Sequence, residues 1–239
     1  MKTLTYNDRT AIYEDIEIEQ KVSIIIPDGT IAISLSGGLD STALLFLIGK
    51  YITDLKLENK IKLKPVHSVS KQLSNSLAIT QKIVDDFTKR YHNVITDDLE
   101  IFGYDETIYK TSTKNAAHNI FYNNLYKDNP DLKSIITALT SLPERNIAES
   151  WGVEYFDERR VNKVRDVHVI YEQGAYAYKP FINNNKKLIS SLHKFLNLNV
   201  EYIKETWSCT FYSNRTKNFT EPCKKCYHCL EKYWAFGQY

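Results

Sequence analysis

Cysteine is missing from most of this chain, because its four cysteines all fall in the C-terminal part, at Cys209, Cys223, Cys226 and Cys229. Secreted folds that depend on disulfides spread their cysteines along the sequence, so this distribution argues against that class. No run reaches the roughly 18 apolar residues that a membrane-spanning helix needs. The stretch from Met1 to Gln20 is charged and lacks the apolar core of a secretory signal. We therefore expect a cytoplasmic protein without a membrane partner.

An excess of charge of one sign is lacking as well, since the formal net charge is only +2. Such a balance does not indicate a nucleic-acid partner, although it leaves that partner open. With 43% hydrophobic and 25% charged residues, the chain has the composition of a globular protein. Its 239 residues are enough for one large α/β domain, or for a domain with an appendage. A homodimer is the expected assembly.

Apolar segments of strand type alternate with segments of helix type through the centre of the chain. Strands are predicted at Thr30–Leu35, Ile61–Val66 and Ser134–Leu139, and helices at Thr42–Ile48, Leu73–Tyr91, Asn115–Tyr126 and Lys186–Leu196. Strands that alternate with helices favour an α/β fold built on a doubly wound parallel sheet. Before this pattern, the isoleucines and valine between Ile16 and Ile26 predict strands, including a hairpin, that end at a Pro-Asp-Gly turn.

A glycine-containing loop joins the first predicted strand to the first predicted helix, with the sequence Ser36-Gly37-Gly38-Leu39-Asp40-Ser41. Two glycines allow a sharp turn and a close approach to a ligand, and a helix N-terminus favours anions. We expect Leu35 to Thr42 to contact ATP, with the hydroxyls of Ser36 and Ser41 on phosphate oxygens. Asp40 would repel phosphate unless a cation lay between them, so it is predicted to bind Mg²⁺. The alternative is a tight turn with a structural role alone.

At two further positions the sequence allows either a ligand-binding role or a structural role. Lys186 or Lys187 could reach a polyphosphate as a point charge, or either could belong to a solvated helix start; Lys186 is the predicted catalytic lysine. His67 ends a predicted strand, where ligands bind in α/β folds, but a hydrogen-bonded histidine at the edge of the core fits the position as well.

The cysteines predict a metal site. Cys223, Cys226 and Cys229 follow one another at the spacing Cys-x-x-Cys-x-x-Cys, and Cys209 can supply a fourth thiolate. Four thiolates can close a tetrahedral Zn²⁺ site without an open position. The same triple spacing occurs in ferredoxins, so a [4Fe–4S] cluster is a rival, and buried free thiols are a second one.

The loop resembles the Ser-Gly-Gly-x-Asp-Ser motif of the PP-loop ATP pyrophosphatases. This resemblance implies an enzyme that cleaves ATP between the α and β phosphates, with pyrophosphate held by Ser36, Gly37, Gly38, Asp40 and Ser41. A substrate oxygen would attack the α-phosphorus, and a nucleophile would then displace the adenylate. The expected domain organisation is an N-terminal extension at residues 1–29, an ATP-binding domain at residues 30–205 that contains this loop, and a zinc-binding segment at residues 206–239.

The C-terminal part is similar to that of the 7-cyano-7-deazaguanine synthases. The similarity rests on Thr206-Trp207-Ser208-Cys209, on the three-cysteine segment, and on Lys179-Pro180-Phe181 followed by Lys186-Lys187-Leu188-Ile189. It implies a ligase that forms an amide and then a nitrile on 7-carboxy-7-deazaguanine with ammonia, as in queuosine biosynthesis. The family's Tyr-Pro-Asp-Cys-Arg segment has no counterpart after the strand at Ile135–Leu139. A tRNA base or a protein terminus is therefore an alternative target, and a non-catalytic nucleotide-binding module with a zinc-mediated interface is another alternative.

Overall fold

The computed structural model describes residues 1–70, 75–104, 114–153, 167–170, 176–206 and 222–239. Nine strands and seven α-helices lie in these ranges. The helices are α1 (Leu39–Asp54), α2 (Asn75–Arg90), α3 (Lys114–Asp128), α4 (Arg145–Ser150), α5 (Lys186–Phe195), α6 (Glu201–Glu205) and α7 (Tyr227–Phe236). Within the described ranges, no helix combines the length and the apolar character that crossing a membrane requires.

The chain begins with an antiparallel meander of three strands, β1 (Lys2–Asn7), β2 (Thr10–Asp15) and β3 (Gln20–Ile25). The expected strand character of Ile16 and Ile18 is wrong, because both residues lie in a short 3-10 turn between β2 and β3. The Asp15 side chain accepts from the Glu17 N–H at 3.1 Å, and Glu19 takes a left-handed conformation with φ of 52°. These local bonds reverse the chain where the apolar pattern alone predicts an extended segment.

The main sheet has six strands: β4 (Gly29–Ser34), β5 (Ile61–Ser70), β6 (Glu100–Tyr104), β7 (Leu132–Thr137), β8 (His168–Ile170) and β9 (Tyr176–Tyr178). Their order is β6-β5-β4-β7-β9-β8, with five strands parallel and β8 antiparallel to β9. The chain moves from β4 toward one edge and later returns to the other side of β4. The predicted doubly wound parallel sheet is confirmed.

Both faces of this sheet are covered. On β4, Ile31 and Ile33 are fully buried in the core that includes apolar residues of α1, α2 and α5. Ala32, between them, belongs to a second core with Phe121 and Leu125 of α3. Successive residues of a strand point to opposite faces, so this division follows from the strand itself. The continuous apolar run that predicts β4 reflects burial on both sides.

The strand order reverses between β4 and β7, and such a reversal is where ligands bind in open α/β sheets. In open α/β sheets the connections after such adjacent strands leave in opposite directions, which opens a crevice at their carboxyl ends. The glycine loop follows β4 and Thr140-Ser141 follow β7, so both lie at this crevice. The meander packs on the same side as α1 and α5, through Tyr13, Val22 and Ile24.

Candidate nucleotide site and metal centre

The loop after β4 turns sharply at Gly37, whose φ is +72°. A Cβ atom at Gly37 would lie 2.8 Å from the Thr80 hydroxyl oxygen, 2.9 Å from Ile79 and 3.0 Å from the carbonyl oxygen of Ser76. All three residues belong to the beginning of α2, so the loop is pressed against that helix. The left-handed backbone and the close contact both require glycine. The next residue, Gly38, is the N-cap of α1.

The two serines of the loop are hydrogen-bonded within it. Ser41 Oγ accepts from the Ser36 N–H at 3.2 Å and donates to the Gly38 carbonyl at 3.0 Å. Ser36 Oγ accepts from the Gly38 N–H at 3.3 Å. Ser36 is exposed, whereas Ser41 is buried. These bonds fix the loop around the start of α1, where the first N–H groups have no partner within the helix and can bind phosphate oxygens.

The other predicted nucleotide contacts have buried side chains. Leu35 and Leu39 lie in the core, and Thr42 is fully buried with its hydroxyl donating to the Gly38 carbonyl at 2.9 Å. A nucleotide can therefore meet these three residues only through their backbone. Their part in nucleotide binding stays a prediction, while their side chains hold the loop to the core.

The two residues predicted to be catalytic meet beside the loop. Asp40 is the second residue of α1, and Lys186 is the first residue of α5. The Lys186 Nζ atom lies 2.7 Å from each oxygen of the Asp40 carboxylate. The side chains are 11% and 17% exposed, so the pair is largely shielded but still reached by solvent. The structure thus places one cation and one anion at the crevice.

Thr140 also lies at the site, although no sequence motif points to it. It is buried, follows the carboxyl end of β7 in the sequence, and donates its hydroxyl to Asp40 Oδ2 at 3.5 Å. A signal for it existed, because Thr140 and Ser141 are polar residues that directly follow a buried strand. The sequence alone did not show that this strand is the neighbour of β4, which is what brings Thr140 to the site.

The two adjacent lysines at the start of α5 point to different places. Whereas Lys186 contacts Asp40, the Lys187 Nζ atom lies 4.8 Å from the centroid of the Trp234 ring on α7. This is the geometry of a cation–π interaction. Only Lys186 of the pair is therefore placed to meet a phosphate at the loop.

A buried histidine supports the loop from the side of α5. His193 Nε2 lies 2.9 Å from the Leu39 carbonyl oxygen and therefore donates to it. Burial lowers the pKa of His193 to about 4, although the Leu39 carbonyl and Asp40 act in the opposite direction. His193 is consequently neutral near pH 7, and the start of α1 has a hydrogen-bonded support that does not carry charge.

His67 takes the structural role rather than that of a ligand. It is 1% exposed, with Nδ1 2.6 Å from the Leu35 carbonyl oxygen and Nε2 3.2 Å from Ser76 Oγ. Both ring nitrogens are thus engaged if Nδ1 carries the proton. Burial lowers the pKa of His67, which favours the neutral ring. The histidine ties the end of β4 to the beginning of α2 beneath the loop.

Asp40 fits a role as one ligand of Mg²⁺. A carboxylate has about four lone-pair positions, so Lys186 and Thr140 leave room for a cation. Among the described residues, the C-terminal cysteines form the only group of three or more Cys, His, Asp or Glu close enough to share an ion. Since Mg²⁺ is commonly held by one or two carboxylates together with substrate phosphates and water, the remaining ligands would come from a bound nucleotide. The Mg²⁺ role stays a prediction.

Three of the four predicted metal ligands lie together at the start of α7. The Sγ atoms of Cys223, Cys226 and Cys229 are within 4.8 Å of one another. Cys226 and Cys229 are buried, and the Cys226 N–H donates to Cys223 Sγ at 3.2 Å. The fourth predicted ligand, Cys209, lies outside the described residues. The cluster could therefore bind zinc, as predicted.

The separation of two of the sulfurs is compatible with a single tetrahedral Zn²⁺ ion. Cys223 Sγ lies 3.9 Å from Cys229 Sγ. In a tetrahedral site with Zn–S bonds of about 2.3 Å, two sulfurs are about 3.8 Å apart. In a [4Fe–4S] cluster each cysteine binds a different iron, so the sulfurs must lie farther from one another.

Helix α7 rests on the helix that carries Lys186. Besides the contact between Lys187 and Trp234, the His193 ring of α5 meets Phe236 edge-on with centroids 5.5 Å apart. Lys232 is buried in α7 and donates to the Thr206 carbonyl at 2.7 Å. The cysteine cluster and the crevice are therefore parts of one packed structure.

Comparisons with known proteins leave the family open. No family model matches the sequence, and no curated protein matches it either. Among solved structures, the chain is similar to the crystal structure of NAD⁺ synthetase from Burkholderia pseudomallei, with 10% sequence identity and a TM-score of 0.39. The match covers 89% of this chain and 75% of that one. A similarity this weak says nothing about activity, and the fold assignment stands on the strand order described above.

Proposed function

We propose that the chain is an ATP-dependent enzyme of the PP-loop class, which cleaves ATP between the α and β phosphates and transfers the adenylate to a substrate. The observation that supports this best is the arrangement at the end of β4. There Gly37 and Gly38 open the start of α1 toward the crevice, and Lys186 lies beside it on Asp40. This arrangement offers backbone N–H groups and one ammonium to a polyphosphate, without a Walker lysine in the loop itself.

The proposed reaction assigns a step to each of these groups. A substrate oxygen attacks the α-phosphorus, and the bond to the oxygen that bridges the β-phosphorus breaks. The negative charge that develops on the departing pyrophosphate is stabilised by the start of α1 and by Lys186. Asp40 orients the Lys186 ammonium and is the residue that would hold Mg²⁺, which when bound would neutralise further phosphate charge.

We further propose that the enzyme is a carbon–nitrogen ligase of the 7-cyano-7-deazaguanine synthase type. The support is a cysteine tail and a lysine helix that resemble those of the family and stand in the same order along the chain. On 7-carboxy-7-deazaguanine, ammonia would attack the carbonyl carbon of the acyl adenylate and AMP would leave, which gives the amide. Adenylation of the amide oxygen, followed by loss of AMP and a proton, would give the nitrile.

A second candidate substrate class follows from the missing recognition segment. The chain has no Tyr-Pro-Asp-Cys-Arg segment after β7, where Thr140-Ser141-Leu142-Pro143-Glu144 stands instead. A site that recognises a flat heterocycle depends on fixed stacking and hydrogen-bonding groups, so losing them changes what binds. A tRNA base or a protein terminus could then accept the adenylate while the ATP chemistry is retained.

A pyrophosphate-release assay tests these proposals. The purified protein with Mg²⁺ and ATP is offered 7-carboxy-7-deazaguanine with ammonium, unmodified tRNA, or peptides with free C-termini. We expect AMP and pyrophosphate as products, whereas ADP and phosphate would contradict the PP-loop assignment.

Lys186→Met should lose at least about 100-fold in rate, because the lost ammonium acts on developing charge. Lys187→Met is the matched control and should retain the rate. ATP that binds but is not cleaved with any substrate would favour the non-catalytic module.

A further inference from the structure

The turn that leads into α5 is held by the N-terminal meander. Gln20, the first residue of β3, makes a pair of hydrogen bonds with Asn185. Gln20 Nε2 donates to Asn185 Oδ1 at 2.7 Å, and the Asn185 N–H donates to Gln20 Oε1 at 3.1 Å. Asn185 is the N-cap of α5, and the same Oδ1 atom accepts from the Lys187 N–H at 3.0 Å. One amide of the meander therefore fixes the residue that starts the helix, directly before Lys186.

The preceding residue, Asn184, links the meander and the start of α5 to the segment that follows β7. It is 7% exposed, and its Nδ2 atom donates to the Lys21 carbonyl at 2.9 Å. Its own carbonyl accepts from the Ser141 N–H at 2.8 Å. The meander, the start of α5 and the segment with Thr140 are thus joined through two adjacent asparagines.

A second contact holds α5 further along its length. The Ser191 hydroxyl donates to the buried Asp15 carboxylate at the end of β2, and the Tyr13 hydroxyl lies 2.7 Å from the same Ser191 oxygen. The meander therefore contacts α5 at its start and in its middle. Because Ser191 fixes the middle of α5, the hydrogen bonds between Gln20 and Asn185 fix the start of that helix.

The position of the Lys186 ammonium depends on this start. A lysine side chain has four rotatable bonds, and holding it in one geometry costs entropy. A backbone that is fixed at Asn185 places the side chain so that its end reaches Asp40, 2.7 Å away. If the first turn of α5 frays, the ammonium samples more positions and contacts the carboxylate for less of the time.

We propose that Gln20 is a positioning residue for Lys186, so that the meander is a working part of the nucleotide site rather than an appendage. This rests on the proposed function for its consequence in ATP binding, but the positioning itself can be measured on the protein alone. Gln20 is only partly buried, and the meander is anchored by Tyr13, Val22 and Ile24 in the core. Replacing Gln20 is therefore expected to leave the fold intact.

The first test measures Lys186 directly. Gln20→Met keeps the length of the side chain and removes both hydrogen bonds. The ammonium signal of Lys186 in proton–nitrogen NMR spectra is assigned by its absence from Lys186→Ala. Exchange of its protons with water should be several-fold faster in Gln20→Met than in the wild type. Lys21→Ala, whose carbonyl still serves Asn184, is the control and should match the wild type. Equal exchange in Gln20→Met and the wild type would overturn the proposal.

The second test links Gln20 to ligand binding through Lys186. Magnesium pyrophosphate is titrated by calorimetry into the wild type, Gln20→Met, Lys186→Ala and the double variant. Losing the paired bonds should weaken binding about fivefold in the wild-type background. In the Lys186→Ala background the same change should have no further effect, because its target is gone. An equal loss in both backgrounds would overturn the proposal. If the wild type does not bind pyrophosphate, the proposed function fails, while the NMR result still decides whether Gln20 positions Lys186.

Discussion

The Lys186 ammonium lies 2.7 Å from both carboxylate oxygens of Asp40, although the two residues are 146 positions apart in the sequence. Each is at the first turn of its helix, so the contact fixes the start of α5 to the start of α1. Because the pair stands where β4 delivers the glycine loop, it adds a cation to a helix N-terminus that already favours anions.

Asp40→Asn keeps the shape of the side chain and removes its charge. We expect the rate of pyrophosphate release to fall at least about 100-fold, because Lys186 loses its fixed partner and the proposed Mg²⁺ ligand is lost. The variant should also be less stable by about 1–3 kcal/mol, since a shielded ammonium is left without its counter-ion. Rates and urea unfolding measure the two effects. Glu149→Gln, which breaks the exposed pair with Arg145, should change neither. A wild-type rate in Asp40→Asn would exclude the catalytic role.

A matched pair of glycines tests the contact between the loop and α2. Gly37 and Gly237 have nearly the same φ, +72° and +73°, but a Cβ at Gly237 would lie within 4 Å of no atom in the part of the chain that the structure describes. Gly237→Ala should therefore cost only the backbone strain, about 1 kcal/mol. Gly37→Ala adds the collision with the Ser76 carbonyl and Thr80, so about 2–4 kcal/mol is expected. Equal losses in urea unfolding would mean that the loop is not tightly packed on α2.

The parts of the site that could be predicted from sequence are those carried by contiguous residues. The buried run of β4, the two glycines and the apolar helix after them form one local unit, so residue types and their order suffice. The contact between Asp40 and Lys186 depends on how α5 packs on α1, which no local pattern specifies. Thr140 reaches the site only because β7 is the neighbour of β4. Gln20 comes close to Lys186 because the N-terminal meander, a separate sheet, packs on α5.

Other misses in the fold have local reasons. Strands β8 and β9 have three residues each, too short to show an apolar alternation. The turn at Ile16–Ile18 is apolar in sequence, but Ile16 is 55% exposed, so hydrophobicity there does not indicate burial. The predicted cysteine site rests on close spacing along the chain, which is why three of its members could be placed together without knowledge of the fold.

The purified protein is expected to be colourless and to contain about one zinc per chain. Cys226→Ser should lose the zinc and a substantial part of the stability, because a closed thiolate site contributes folding free energy. Metal analysis and thermal unfolding with and without a chelator measure both. Cys209→Ser should also reduce zinc content if it is the fourth ligand. Brown protein that contains iron in place of zinc would establish the cluster instead.

His193 should make the folded protein sensitive to acid. Its pKa is lowered to about 4 by burial, against an ordinary value of about 6.5. Between these values the unfolded chain binds a proton that the folded protein does not, so the free energy of unfolding falls as the pH is lowered from about 6.5 to about 4. The full effect is about 3 kcal/mol, and it is absent above pH 7.

The charged groups near His193 do not reverse the lowering of its pKa. Asp40 favours the protonated ring and Lys186 disfavours it, and both effects are smaller than that of burial. His193→Gln can still donate to the Leu39 carbonyl but cannot take up a proton, so its stability should depend less on pH over the same range. Urea unfolding at pH 7, 6, 5 and 4 measures the difference. His92→Gln, at an exposed position, is the control and should follow the wild-type profile. If His193→Gln also followed it, His193 would not be the buried neutral group that holds the start of α1.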